Sequence, residues 1–127
     1  MADAVSVQTL VDGPRNAVLH CTNVSDGTGE SAAVKVDMST LSGSPSSLAI
    51  ERVRGTTSGM AVDLFFDATA NDLALSIPGD ESIDIDYRDI GGLQNPKSSG
   101  FTGDILASTR DHTANDTYAF TIWVRKK

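Results

Sequence analysis

The chain has 127 residues, with 17 acidic against 10 basic side chains and a formal net charge of −7. That length fits one domain, residues 1–127, with enough chain to bury a core without staples. A sequence pI near 4.5 argues against a phosphate-backbone binder, whose affinity comes from Lys and Arg displacing counterions.

Hydrophobic residues make up 39% and charged residues 21%, a globular rather than a disordered or fibrous composition. The opening MADAVSVQTL has neither the basic start nor the apolar stretch of a signal peptide. No window reaches the ~18 apolar residues of a membrane helix. The expectation is a soluble product of a cytoplasm with no nucleic-acid and no membrane partner.

The dominant period along the chain is two, the mark of half-buried strands whose successive side chains point to opposite faces. Weak alternation runs from Val5 to Val11 and from Ala17 to Val24, separated by the turn Asp12-Gly13-Pro14. The glycine-rich stretch 25–29 follows, and then Val34, Val36 and Met38 alternate with Lys35 and Asp37. After the 42–45 turn come a weak run from Leu48 to Val53 and a strong one from Met60 to Phe66.

Residues 68–74 offer at most one helical turn, capped by Asp67 or Thr69. Leu73 to Ile77 is again weakly strand-like; then, past Pro78-Gly79-Asp80, Ile83, Ile85 and Tyr87 form a row. The segment 91–103 reads as the longest polar loop, and Ile105 to Thr109 as a weak strand. In the last run Tyr118, Phe120, Ile122 and Val124 form the heavier apolar row and should face the core, which puts Trp123 on the other face. Phe65 has a similar status. Two aromatics on outer faces hint that more than one sheet face is covered. Short strands with turns at this spacing predict an all-β, single-domain antiparallel β-sandwich, jelly-roll-like or Ig-like, of about eight short strands.

Chemistry-bearing patterns are sparse. The lone Cys21 excludes an internal disulfide and reads as a small core residue. A nucleophilic thiol would need a base; only His20 and His112 exist, and His20, as the next residue on a strand, points the other way. Asp80, Glu81, Asp84, Asp86 and Asp89 form the one dense carboxylate run. It lacks the Gly and distal Glu of an EF-hand loop and reads as a solvated outer strand face, unless neighbouring chains of a trimer supply further cation ligands.

Gly27-Thr28-Gly29 lacks the lysine of a phosphate loop and reads as a hairpin. No G-x-S-x-G elbow and no His-x-x-His or Cys-x-x-Cys pair is present. The sequons at Asn23 and Asn115 are read as chance. The tail Arg125-Lys126-Lys127 reads as a solubilising strand end, or as a partner for an acidic patch on a neighbour. No catalytic residue, cofactor or metal is expected. An acidic β-domain of this kind reads as a binding or building part.

Five stretches in order carry a likeness: Asp12-Gly13-Pro14-Arg15-Asn16-Ala17-Val18, Phe65-Phe66-Asp67-Ala68-Thr69-Ala70-Asn71, Gly91-Gly92-Leu93-Gln94-Asn95-Pro96, Gly100-Phe101-Thr102-Gly103-Asp104-Ile105-Leu106 and Asn115-Asp116-Thr117-Tyr118. The series resembles small structural proteins of tailed bacteriophages, from about residue 10 to the C-terminus. The resemblance implies a virion component, a capsid decoration (cement) protein on the outer capsid surface. Its partners would be the major capsid protein and itself, as a homo-oligomer such as a trimer.

The expected contact residues are Asp12, Pro14, Arg15, Leu93, Asn95 and Phe101 on loops, with Trp123 on an exposed face. Loops on a rigid scaffold commonly carry binding. The alternatives are a phage tail, neck or receptor-binding appendage component, and a carbohydrate-binding β-sandwich module. An enzyme is the least supported class.

Overall fold

The computed structural model describes residues 4–27, 30–43, 45–110 and 113–126. Thr28 and Gly29 of the glycine-rich hairpin, Ser44, His112 and Lys127 lie outside the described residues. The described strands are β1 (Ala4–Asp12), β2 (Asn16–Asp26), β3 (Ala33–Val36), β4 (Leu48–Ser58), β5 (Ala61–Phe66), β6 (Asp72–Ile77), β7 (Ser82–Asp86), β8 (Leu93–Gln94), β9 (Ile105–Arg110) and β10 (Ala114–Lys126). They form a six-stranded sheet in the order β1-β2-β10-β4-β7, with β8 also on β4, and a four-stranded sheet in the order β3-β9-β5-β6. Every described pairing is antiparallel.

The pairing has one logic. β2 pairs β10, β3 pairs β9, β4 pairs β7 and β5 pairs β6. The chain is thus one long antiparallel ribbon folded over so that successive ribbon segments alternate between two sheets. That is the strand order of a jelly roll, and it settles the choice left open between jelly roll and Ig-like sandwich. The strand runs read from alternation, Val5 to Val11 included, correspond to β1 to β7, β9 and β10, against the expected total of about eight. The structure adds the two-residue β8 inside the segment read as a polar loop, and pairs β1 with β2.

The core lies between the sheets. Ala17, Leu19 and Cys21 on β2, with Tyr118, Phe120, Ile122 and Val124 on β10, meet Val62, Leu64 and Phe66 on β5 and Ile105 and Ala107 on β9. The apolar row chosen by bulk on the last strand is therefore the buried one.

Two expectations fail locally. Residues 68–74 form no helical turn; the Asn71 side chain instead accepts from the Ala68 N–H at 3.1 Å. On β3 the register slips between Val34 and Val36. Val34 is therefore exposed and Lys35 is buried, against the row read from alternation, while Val36 is buried and Met38 packs against the core as that row requires. The strand stops at Val36 because Asp37 caps a 3₁₀ turn, Met38–Thr40.

Candidate functional site

The strand registers bring sequence-distant loops to one end of the sandwich. Asp12 lies opposite Ala17, Arg125 opposite Asn16, Lys126 opposite Leu48, and Ala49 opposite Gln94. In the smaller sheet Val36 and Phe66 both lie opposite Ile105, and Phe66 opposite Asp72. The β1–β2 turn, the 37–47 segment, the β5–β6 turn and the 87–104 segment therefore share this end. The β2–β3, β4–β5, β6–β7 and β9–β10 connections share the other.

Cations of the last strand clamp these loops. The Lys126 ammonium donates to Gly13 O at 2.6 Å, to Ser42 O at 2.9 Å and to the Asp12 carboxylate. Arg125 Nη2 donates to Gly91 O at 2.6 Å. On the smaller sheet the Asp67 N–H donates to Asp104 O at 3.0 Å, and Thr102 Oγ1 to Asp67 Oδ2 at 2.7 Å. The Met38 N–H donates to Asp104 Oδ1 at 2.8 Å and joins the 3₁₀ turn to the same set. Lys126 is thus a nearly buried internal tie, not the solubilising strand end expected of the basic tail.

Six of the seven expected contact residues lie at this end, with different surroundings. Pro14 and Arg15 are exposed at the tip of the β1–β2 turn, and Phe101 is 39% exposed. Asp12 is held by Lys126 and Ser42, which also hold its carboxyl below the usual carboxylate range. Leu93 packs against the core, and Asn95 is buried with its side-chain oxygen accepting from the Lys97 N–H at 2.8 Å. The surface available to a partner is therefore Pro14, Arg15 and Phe101, joined by Ile90, which is 68% exposed. Sequence reading missed Ile90 because it sits in a 3₁₀ turn, Arg88–Ile90, after the alternating row has ended.

Trp123 lies apart, on the outer face of the six-stranded sheet. The Arg52 guanidinium sits 5.3 Å from its ring centre, and Arg52 donates to both oxygens of Asp84 at 2.8 and 2.6 Å. The indole borders an open groove of about 800 Å³ lined by Leu10, Val18, His20, Arg54 and Thr121 among others. His20 Nδ1 is 2.8 Å from Thr121 Oγ1.

The acidic run is not a gathered cation site. Asp84 is paired with Arg52; Asp86 is paired with Arg88, which holds its carboxyl down at about 2; Asp80 accepts from the Gly59 N–H. No group of three or more His, Cys, Asp or Glu able to hold a metal occurs among the described residues.

Cys21 is buried, and that burial pushes its thiol up to about 12, opposite in sense to an activated thiol. Close by is a buried polar cluster. Lys35 Nζ is 2.6 Å from Glu30 Oε2; Asn23 Nδ2 donates to Glu30 Oε1 at 2.7 Å; the Tyr118 hydroxyl donates to Glu30 Oε1. Burial, then the bond to Glu30, pushes the Tyr118 phenol upward. Asn23, one of the two sequon asparagines, is itself buried. These contacts lock β2, β3 and β10 together, and Cys21 behaves as the small core residue expected.

The fold and its surfaces define an all-β jelly-roll domain with a loop platform at one end. No protein-family profile matches the chain. No curated protein matches it. Among solved structures it is similar to peruvianin-I, a cysteine peptidase from Thevetia peruviana latex, at 8% identity and a TM-score of 0.40, over 99% of this chain and 68% of that one. At that level of likeness nothing about activity transfers.

Proposed function

We propose that this chain is a non-enzymatic structural component of a tailed-phage virion, of the decoration type. It would bind the outer capsid surface and tie neighbouring capsomers together, with the major capsid protein and further copies of itself as partners. The observation that carries the reading is the gathering of four loops at one end of a rigid jelly roll. Three of the five stretches that resemble phage structural proteins supply or flank those loops throughout, and a fourth, 65–71, forms the β5–β6 turn.

Jelly rolls recur in viral capsid and lectin domains, though fold alone assigns no function. A net charge of −7 suits the outside of a DNA-filled shell, since phosphate would repel it inside. Repeated weak contacts with a shell are multiplied by their number.

Binding is tested by co-sedimentation with purified shells of the encoding phage. Arg15→Glu with Phe101→Ala is expected to abolish co-sedimentation while the far-ultraviolet spectrum is unchanged. Glu81→Lys, at the opposite end, is expected to leave binding intact. Equal loss in both would contradict the loop platform. Location on the tail, neck or an appendage is separated from the shell by copy number.

A second reading, a carbohydrate-binding module, is favoured by the sheet-face groove beside Trp123, since Trp is suited to stacking on sugar rings. A glycan array on which the wild type binds and Trp123→Ala does not would put that reading first.

A further inference from the structure

Strand β1 lies at the edge of the larger sheet and pairs with β2 alone among the described residues. Val7 lies opposite Cys21 and Val5 opposite Asn23, both buried, so these valines point to the core side of the sheet. They nevertheless stay 42% and 44% exposed, because the four-stranded sheet does not reach beneath the outermost strand of a six-stranded one. Leu10 and Val11 are also exposed.

Natural edge strands are usually short, charged, proline-bearing or covered. β1 spans 9 residues and has no charge and no proline between Val5 and Val11. The other edge strands among the described residues are shorter. β7 carries Asp84 and Asp86, β6 starts at Asp72, and β3 is only 4 residues long. In a chain of net charge −7, the uncharged edge is where two copies meet with least repulsion.

We propose that β1 is a self-association edge, pairing antiparallel with β1 of a second copy about a two-fold axis. An axis normal to the sheet keeps each core-side residue beside a core-side residue, and the sequence suits one register. Val5 would face Val7 of the partner subunit, Val7 would face the partner's Val5, and Ser6 would face the partner's Ser6. Two cross-strand valine pairs form on one face, the kind of pair that stabilises a sheet.

The contact is isologous and closes, because the other side of β1 is already taken by β2. One strand pair buries well under the ~1,200 Å² of a standard stable interface, so the dimer is reversible and concentration-dependent. The proposal does not rest on the virion reading, since it concerns the isolated protein in solution.

Sedimentation equilibrium of the full chain is expected to show an apparent mass rising from 13.3 kDa toward twice that value as concentration increases. Val7→Lys, on a side chain outside the core, is expected to abolish the rise. Oxidised Ser6→Cys is expected to run as a disulfide-linked dimer, with buried Cys21 unable to compete. Leu73→Cys, on the β6 edge, is expected to stay monomeric. A mass that stays at the monomer value at every soluble concentration would overturn the proposal. So would cross-linking of Leu73→Cys as readily as of Ser6→Cys.

Discussion

Residue identity matters most where a polar group is buried. Lys35 and Glu30 lie 2.6 Å apart with side chains 2% and 8% exposed. Removing one partner of such a pair leaves a buried charge and costs about 3–5 kcal/mol, a large part of the 5–15 kcal/mol available to a typical domain. Lys35→Met is therefore expected to lower the urea midpoint sharply. Glu30→Gln with Lys35→Met is expected to recover part of the loss, because the orphaned carboxylate is gone. An additive double mutant would contradict the coupling.

Cys21 gives a simpler test. Its thiol, raised to about 12 by burial, is expected to resist a thiol reagent in the native protein and to react fully in denaturant. Rapid native labelling would contradict its place in the core. The burial of Cys21 was legible from its strand context and lack of partners. That of Lys35 was not, because it depends on a register slip on β3 and on the Glu30 carboxylate supplied by the β2–β3 connection.

Among the elements, alternation located every long strand, since a period of two is a local property of sequence. It could not find β8, two residues long and paired only with Ala49 and Ile50. Nor could it find strand order, which depends on non-local pairing. Gly55 shows what such pairing demands. It lies opposite Phe120, and a side chain there would meet Phe120 Cβ and come within 2.6 Å of Ala119 O. Gly55→Ala forces β4 and β10 apart, and overpacking of this kind costs about 1–3 kcal/mol. The expected result is a lower melting temperature; an unchanged one would show that the two strands shift freely.

The 37–47 and 87–104 segments meet at Asp104. Burial raises its pKa; nearby Asp37 and Asp67 add to the rise, and the Met38 N–H bond opposes it. With a folded pKa above the unfolded one, the stability linked to the protonated form is full below about pH 3.9 and is lost as pH rises through the folded value. Asp104→Asn should therefore melt higher than wild type at neutral pH, with the difference vanishing near about pH 3. A difference that grows as pH falls would contradict the sign.

In the whole molecule, folding brings four sequence-distant loops to one surface. The contact candidates were chosen as loops, and six of the seven do share one end of the sandwich. Their division into exposed Pro14, Arg15 and Phe101, exposed but clamped Asp12, and inward-held Leu93 and Asn95 was not legible. The bond from Lys126 that holds Asp12 spans 114 positions, and no local pattern announces it. Trp123 was placed correctly on the outer face by parity, yet it stands beside Arg52 and the groove instead of joining the loop platform. The molecule thus offers three separate surfaces: a loop end, a sheet face and an open strand edge. A domain that meets a shell and its own copies at once would use the first and the last.

The most direct test of the proposed virion role is the copy number of this chain in purified particles of a phage whose genome carries its sequence, by quantitative mass spectrometry against the major capsid protein. The decoration reading predicts hundreds of copies, in a fixed ratio to the shell subunit. A dozen or so would move the protein to the neck or tail, and its absence from the particle would contradict the virion reading altogether.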